Sequence, residues 1–422
     1  MADPHIGSNA PVTTAKPLHR NRDFVHLWAA QTVSFFGTTF GALALTALIF
    51  LDATPGQMGI LAMAQGLPVL LFALAAGVIV DRMPRRPVLI VADFGRFAAL
   101  LTVPAAALLD VLVIEQLYLV AFVVGALDLA FQVAYRSYLP ALVSREQLLA
   151  ANARLSATES VAESGAAAGG LIVQAASGPA AVLVDAFTFL VSGLLVKRIR
   201  RPEPPIAPQP QSSMLHEALE GVGEVVRSPV LRALTSSRAT MSFFGAFIGA
   251  LYSLFLIREL GFSPFIMGLT IAAGGLGSIG GALVVGSVTR RLGIGPTLLI
   301  SSLGVQTWLI PLAGGPSELA LLMILVSQLF GDPFWTMYEI GSVSLRQAVT
   351  EDRMLGRVSS TMHLVEAGLI PIGALTAGVL AEAIGVRETL AIAAIGVSSA
   401  ALWILLSPIP GLRDVPALAT DP

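Results

Sequence analysis

The 422-residue chain contains no cysteine, and its only lysines are Lys16 and Lys197. Without cysteine there can be no disulfide, no thiolate metal site and no cysteine-ligated iron–sulfur cluster. The patterns G-x-x-x-x-G-K-[ST], H-E-x-x-H and G-x-S-x-G are also absent. This excludes ATP binding through a P-loop and disfavours two common hydrolase sites. We therefore predict no catalytic residues, no cofactor and no metal site, and we do not expect an enzyme.

Charge is also scarce. Charged residues make up 12% of the chain and hydrophobic residues 55%, whereas a typical soluble domain has about 25% charged residues. A helix needs about 20 consecutive apolar residues to cross a hydrocarbon core about 30 Å thick. Continuous windows of this length predict an all-α membrane protein with twelve transmembrane helices, near residues 25–50, 57–80, 87–109, 116–138, 154–175, 179–197, 231–257, 264–288, 295–313, 317–341, 358–382 and 386–407.

The distribution of basic residues predicts the orientation. With both termini in the cytoplasm, all of the 25 lysines and arginines except Arg258 and Arg387 lie near the inner ends of the predicted helices. Cytoplasmic loops carry such an excess of positive charge. The polar N-terminal tail has no apolar segment of the kind found in a cleavable signal peptide. We expect a multi-pass protein of a bacterial plasma (inner) membrane, with cytoplasmic N and C termini.

The two halves of the chain are similar in sequence. A Pro-rich and then amphipathic stretch, residues 199–228, interrupts the apolar windows and predicts a cytoplasmic linker. Three segments recur about half a chain length later: GVIVDRMPRRPVL from Gly77 as GSVTRRLGIGPTL, DLAFQVAY from Asp128 as DPFWTMYE, and the region of Arg154 as that of Arg357. Parallel repeats of this kind place a binding site between the halves near the bilayer midplane. The predicted parts are a tail (1–22), a six-helix bundle (23–198), the linker (199–228), a second six-helix bundle (229–408) and a tail (409–422).

Five segments carry a family resemblance: NRDFVHLWAAQTVSFFG, TPGQMG, GVIVDRMPRRPVLIVADFGR, YRSYLPALVSREQLLAANARLSATESVAE, and VDAFTFLVSGLL before RIRRPEP. Through them the sequence resembles the major facilitator superfamily (MFS), and within it the bacterial drug:H⁺ antiporters of the macrolide-efflux and enterobactin-exporter type. The resemblance implies twelve helices in two pseudo-symmetric six-helix bundles. It also implies transport of small molecules.

The segment GVIVDRMPRRPVLI matches a loop motif of that superfamily, although Pro84 stands where the motif has glycine. The resemblance implies a cytoplasmic gate in which a glycine allows close helix packing and an aspartate and arginines hold the face closed. Arginines at such a junction can also form bidentate bonds to carboxylates. The alternative is that the arginines only fix topology. The gate candidates are Gly77, Asp81, Arg82, Arg85 and Arg86, extended by Asp93 and Arg96.

Seven of the acidic residues within the predicted spans are candidates for binding a proton. An acid at the bilayer centre costs about 2.5–3.5 kcal/mol on insertion scales, so each one needs a reason to be there. Glu159 and Glu163, four residues apart on one helix face, form a coupled pair that can bind and release a proton. The alternative for any single acid is a structural bond to a serine, an arginine or a carbonyl. The proton-coupling candidates are Asp128 and Glu163 first, Glu366 next, then Glu159, Asp185, Asp332 and Glu339.

Large side chains at a similar depth predict a cavity for bulky lipophilic ligands, because such pockets are mostly apolar with a few polar anchors. Aromatic residues in a bundle also serve simply as packing, which is the alternative for each of them. The cavity candidates are Gln31, Phe35, Gln132, Tyr135, Phe334, Trp335, Tyr338 and His363.

Together these observations predict a monomeric secondary active transporter that exports amphipathic small molecules (drugs, antibiotics or siderophore-like products). Proton antiport with alternating access is the expected mechanism, with the lipid bilayer, protons and the small molecule as partners and no nucleic acid. An importer of a small metabolite, proton-coupled or facilitated, would share the fold and the buried acids. A membrane-embedded enzyme or a lipid scramblase is a third possibility.

Overall fold

The computed structural model describes residues 18–413 except 39, 40, 145, 146, 177, 202, 204–213, 306, 308 and 316; at a few further helical positions it describes the backbone but not the side chain. Nearly all of the described chain is helical. The helices are α1 (Arg22–Thr38), α2 (Ala42–Leu45), α3 (Pro55–Asp81), α4 (Arg85–Leu108), α5 (Ile114–Leu142), α6 (Leu148–Ser164), α7 (Ala166–Ala176), α8 (Gly178–Lys197), α9 (Met214–Arg227), α10 (Pro229–Leu254), α11 (Pro264–Leu292), α12 (Ile294–Gly304), α13 (Leu309–Leu312), α14 (Glu318–Val349), α15 (Asp352–Ile384) and α16 (Val386–Leu405).

In the part of the chain that the structure describes, ten helical segments are long and apolar enough to cross a membrane. The predicted fifth and ninth crossings are each present as two consecutive helices, α6 with α7 and α12 with α13. The first break falls at Gly165, where an added Cβ would lie 3.0 Å from the Phe36 ring. A glycine therefore permits the close approach of α1 at the point where the fifth crossing divides.

Equivalent helices pack in the same way in the two halves. In the N-terminal half α1 packs on α8 and α3 packs on α5; in the C-terminal half α10 packs on α16 and α11 packs on α14. Between the halves, α3 packs on α15 and α7 packs on α11. A pseudo-two-fold axis between the halves relates the contact of α3 with α15 to the contact of α7 with α11. The repeat that the sequence predicts is thus visible in the helix packing.

Small residues make the contacts between the halves close. A Cβ on Gly59 of α3 would lie 2.7 Å from the Gly378 Cα of α15, and a Cβ on Gly268 of α11 would lie 2.5 Å from the carbonyl oxygen of Ala166. Any larger side chain at these points would push the helices apart. Glycine and alanine allow such close helix crossings in membrane bundles.

The two ends of the bundle differ. At the end that carries residues 198–228, which we call the linker end, Glu203 accepts hydrogen bonds from the backbone N–H groups of Arg85 and Arg86, both at 2.7 Å. At the opposite end, which we call the far end, the halves bind each other. Five hydrogen bonds join the two halves there.

Two side chains of the C-terminal half, Arg258 and Glu382, bind residues 48–56 of the N-terminal half, and we call this set of contacts the far-end latch. Arg258 donates to the carbonyl oxygens of Ala53 at 2.7 Å and Leu48 at 3.2 Å, and it pairs with Asp52. Glu382 accepts from the Thr54 hydroxyl at 2.6 Å and from the Gly56 N–H at 3.0 Å. Gly56 lies in the first turn of α3, where the unpaired N–H groups and the helix dipole favour a carboxylate.

Candidate functional site

A cavity of about 600 Å³ lies between the two halves, roughly midway along the helices. Its size and its mixed apolar and polar lining are those of a site for a drug-sized molecule. Helices α1, α4 and α5 of one half and α11 and α14 of the other contribute to the wall. The lining residues are Gln31, Ser34, Phe35, Thr38, Arg96, Asp128, Phe131, Gln132, Ile271, Gly275, Ser278, Gln328, Asp332 and Trp335.

A buried ionic network supports the N-terminal wall of the cavity. Arg96 of α4 donates to Asp93 one turn away at 2.6 Å and to Asp128 of α5 at 3.0 Å. Asp93 also accepts a hydrogen bond from the Ser192 hydroxyl of α8 at 2.8 Å. The network thus joins α4, α5 and α8, and the buried charges of Arg96 and Asp93 satisfy each other.

Aromatic rings enclose the same arginine. The Arg96 guanidinium carbon lies 4.2 Å from the centre of the Phe189 ring and 4.6 Å from that of Phe131. These are cation–π distances. The Arg96 side chain is only 4% exposed, whereas the Asp128 side chain is 50% exposed. The cation is therefore covered, and the carboxylate of Asp128 faces the cavity.

Asp185 of α8 is, like Asp93, a buried acid in this half. A Cβ on Gly37 of α1 would lie 2.6 Å from its Oδ1 atom, so a glycine makes room for the carboxylate. The Thr188 hydroxyl lies 3.5 Å from the same oxygen and donates to the Asp185 carbonyl at 2.7 Å. Asp185 is held inside the N-terminal half and does not line the cavity.

The C-terminal half has its own ionic network. Arg238 of α10 pairs with Glu339 of α14 and with Glu366 of α15, and its Nε atom lies 3.2 Å from the second Glu366 oxygen. The Arg238 guanidinium carbon lies 5.9 Å from the ring centre of Trp335, which lines the cavity. The glutamates are 42% and 25% exposed. Neither glutamate is fully buried, whereas Asp93 of the Arg96 network is.

The structure separates the predicted cavity residues into two groups. Gln31, Phe35, Gln132 and Trp335 line the cavity. The other four lie elsewhere: the Tyr135 ring stacks on Phe131 with centres 6.2 Å apart, Phe334 packs against Gly304, Tyr338 is fully buried in the C-terminal core, and His363 is exposed.

The predicted gate residues also divide. Asp93 and Arg96 belong to the network at the cavity. The backbone N–H groups of Arg85 and Arg86 bind Glu203 of the linker, and the Arg86 guanidinium donates to the Lys197 carbonyl at the end of α8 at 2.6 Å. Arg82 is exposed. Four candidates, Gly77, Asp81, Glu159 and Glu163, fall outside the residues whose side chains the structure describes.

Sequence reasoning missed several residues of these networks. Arg238, Ser192 and Glu203 were not singled out, nor was the pair of Arg258 and Glu382 as a link between halves. A signal for Arg238 was available. It lies more than two turns inside α10, and a cation so deep in an apolar span requires an acidic partner.

The cavity lining does not resemble a metal site. Within the described ranges no group of three or more histidine, cysteine, aspartate or glutamate side chains is arranged to hold a metal ion. The polar groups of the cavity are instead amides, hydroxyls, two carboxylates and the Arg96 guanidinium, spread over both halves. Such a lining suits hydrogen bonding and charge contacts with an organic molecule.

Two packed helical halves around a central polar cavity define a multi-pass membrane transporter with the MFS fold. The chain belongs to the transmembrane secretion effector family, whose model matches residues 12–421. The family resemblance and the all-α fold predicted from the sequence are both confirmed.

The chain is similar to several transporters. It is 28% identical over 397 residues to the uncharacterised MFS-type transporter YfiS of Bacillus subtilis, covering 88% of this chain and 90% of YfiS. It is 27% identical over 383 residues to the multidrug efflux pump Tap of Mycolicibacterium fortuitum, covering 86% of this chain and 89% of Tap. The crystal structure of the nucleoside transporter NupG superposes with a TM-score of 0.71 at 13% identity, covering 92% of this chain and 98% of NupG. The likeness to NupG concerns the fold alone.

Proposed function

We propose that this protein exports amphipathic small molecules from the cytoplasm in exchange for protons, by alternating access. The observation that carries the proposal is the cavity of about 600 Å³ between the halves, lined by Phe35, Trp335 and the carboxylates of Asp128 and Asp332. Aromatic rings beside polar and charged side chains suit a ligand that has both apolar and polar parts. The similarity to a multidrug efflux pump along most of the chain supports export as the direction.

The asymmetry of the two ends supports alternating access. The far-end latch joins the halves through Arg258 and Glu382, while the described contacts of Arg86 at the linker end stay within one half and the linker. With the linker end in the cytoplasm, as the positive-inside rule requires, the far-end latch closes the outer side. Its release is the step that opens the cavity outward.

Asp128 is the proposed proton carrier in this mechanism. It lies at the middle of α5, faces the cavity and is bound to Arg96 at 3.0 Å. Protonation removes its charge and with it the ion pair, so the state of the network depends on whether a proton is bound. A proton that enters also gains about 2.3 kcal/mol per 100 mV of membrane potential. Glu163 and Glu366 are the next candidates.

The test uses purified protein in proteoliposomes of known sidedness, with a fluorescent dye substrate and an imposed proton gradient. We expect dye to move from the linker-end compartment to the far-end compartment and to stop when a protonophore is added. Asp128→Asn should abolish gradient-driven movement while dye still binds. Asp110→Asn, the same change in an exposed loop, should transport normally. Full activity of Asp128→Asn would contradict its role, and movement in the opposite direction would favour an importer.

A further inference from the structure

A second pocket, separate from the central cavity, lies at the linker end between α9 and the start of α15. Its volume is about 390 Å³. Two apolar spans begin beside it, at Pro229 and at Arg353. The pocket therefore lies at the depth where membrane-crossing helices leave the hydrocarbon core and meet the lipid headgroups.

Helix α9 is held closely against α15. A Cβ on Gly221 would lie 2.5 Å from the Thr361 hydroxyl oxygen and 2.7 Å from the Arg357 carbonyl oxygen, so only glycine allows this approach. Glu220 pairs with the Arg357 guanidinium, and Val225, one turn after Gly221, is buried. The side of α9 that carries Gly221 and Val225 thus faces the protein.

A different side of α9 is apolar and exposed. Leu219, Val222 and Val226 are spaced three and four residues apart, which places them in one stripe along the helix. Each is between 45% and 59% exposed. The stripe is centred roughly 110° around the helix from Gly221 and Val225, at 3.6 residues per turn. It therefore points away from α15, as the apolar face of a helix lying in the membrane interface does.

The position of this stripe identifies what covers it. Only Ser228 separates α9 from α10, and α10 begins a membrane-crossing span at Pro229. The stripe is thus continuous with the lipid-facing surface of the bundle. Lipid acyl chains are the apolar partner available at this place.

The charges of the pocket favour one kind of headgroup. Among the described residues that line it, glutamates and arginines are equal in number: Glu220, Glu224, Glu351, Arg227, Arg353 and Arg357. Glu351 pairs with Arg353, and Glu220 pairs with Arg357. The side chains of Glu224 and Arg227 form no ion pair or hydrogen bond with any residue that the structure describes. An unpaired carboxylate and guanidinium three positions apart suit a ligand that carries both an amine and a phosphate, since arginine binds phosphate in a bidentate manner.

We propose that α9 and the start of α15 bind a zwitterionic phospholipid with a primary amine, in the leaflet at the linker end. Its acyl chains cover Leu219, Val222 and Val226, its phosphate binds Arg227 and its amine binds Glu224. Because α9 is fixed on α15, the lipid anchors this end of the C-terminal half at the membrane surface. The site lies outside the central cavity, so the proposal does not depend on the direction or substrate of transport.

The experiment uses the absence of cysteine from the chain. A fluorophore is attached to Val222→Cys in the full chain, which is reconstituted in phosphatidylcholine liposomes. Each liposome sample contains the same small fraction of one lipid with brominated acyl chains: phosphatidylethanolamine, phosphatidylglycerol or phosphatidylcholine. We expect brominated phosphatidylethanolamine to quench at least about twofold more than either of the others, because only its headgroup can satisfy both Glu224 and Arg227.

Two labelled controls define the scale. Ile395→Cys lies on an exposed face of α16, away from the pocket, and the three lipids should quench it equally. Asp110→Cys lies in an exposed loop and should be quenched weakly. A label at Val222 that responds like the one at Asp110 would overturn the proposal. Leu219→Cys provides a second label on the same stripe if Val222→Cys does not fold.

Charge variants then test the pocket. In labelled Val222→Cys protein, adding Glu224→Gln and Arg227→Gln should abolish the preference for phosphatidylethanolamine while quenching by all three lipids remains. Arg290→Gln, a change of an exposed arginine at the end of α11, should leave the preference intact. A preference that survives the loss of both Glu224 and Arg227, or equal quenching by the three lipids before any charge is removed, would overturn the headgroup assignment.

Discussion

Arg96 and Arg238 make the same pairing in the two halves of the molecule, but in different surroundings. Each arginine holds two carboxylates from its own half. The Arg96 network is closed by two phenylalanine rings, and Asp93 within it is fully buried. In the Arg238 network both glutamates remain partly exposed, and Trp335 of the cavity wall lies beside the arginine.

The difference predicts how much each network contributes to stability and how readily it changes its bonds. A buried ion pair depends on each partner, because removing one leaves a charge that neither water nor protein satisfies. A partly exposed pair keeps access to water, so losing one partner costs less. The Arg96 network should therefore chiefly hold α4, α5 and α8 together, with only the Asp128 carboxylate facing the cavity. The Arg238 network should change its bonds more readily as the halves move.

The largest expected effect is that of Arg96→Met. Methionine keeps the length and apolar character of the stem, but it leaves Asp93 buried without its cation. We expect the free energy of unfolding to fall by about 3–5 kcal/mol. The measurement is denaturant-induced unfolding of the purified protein in detergent, followed by tryptophan fluorescence.

A double variant tests whether the loss of stability comes from the unpaired charge of Asp93. Adding Asp93→Asn to Arg96→Met removes the buried carboxylate charge, so a large part of the lost stability should return. A double-mutant cycle measures this coupling directly. If the double variant is less stable than Arg96→Met alone, the argument for Asp93 is wrong.

The same substitution at the second arginine gives the next prediction. In Arg238→Met the glutamates lose their cation but stay partly solvated, so stability should fall by about 2 kcal/mol, between the values for exposed and buried pairs. Gradient-driven transport should fall by more than about tenfold, because α10, α14 and α15 lose the contact that joins them. Unfolding and proteoliposome transport are measured on the same preparation. A stability loss as large as that of Arg96→Met would remove the distinction between the networks.

Much of the fold could be predicted from the sequence because apolar length alone defines a membrane helix. The predicted window 87–109 corresponds to α4 (Arg85–Leu108). The windows 179–197 and 386–407 correspond equally closely to α8 and α16. The fifth crossing is less regular, because α6 contains polar and acidic residues and ends at Ser164, one residue before Gly165. The cost of an intramembrane acid drew attention to Asp128, which lies at the middle of α5 and lines the cavity.

The partners of those residues could not be predicted in the same way. Sequence periodicity does not fix how α4 is rotated against α5, so Arg96 was assigned to a gate and Asp128 to proton coupling, although one bond joins them. Arg238 was counted with the basic residues near the linker, yet the fold places it against Glu339 and Glu366 from helices more than 100 positions away in sequence. Such contacts depend on tertiary packing and not on local pattern.

The smallest expected effect concerns the hydroxyl that only the N-terminal network has. In Ser192→Ala, Asp93 loses the hydrogen bond of 2.8 Å from Ser192 but keeps Arg96. We expect a loss of about 1 kcal/mol in the free energy of unfolding, since the carboxylate stays paired and one bond is removed. Ser342→Ala is the matched control, because this buried serine beside Glu339 donates to a backbone carbonyl of its own helix and not to a carboxylate. Its stability should change little. Equal losses in the two variants, measured by the same unfolding titration, would mean that the hydroxyl of Ser192 stabilises α8 itself and does not support the closed ionic network.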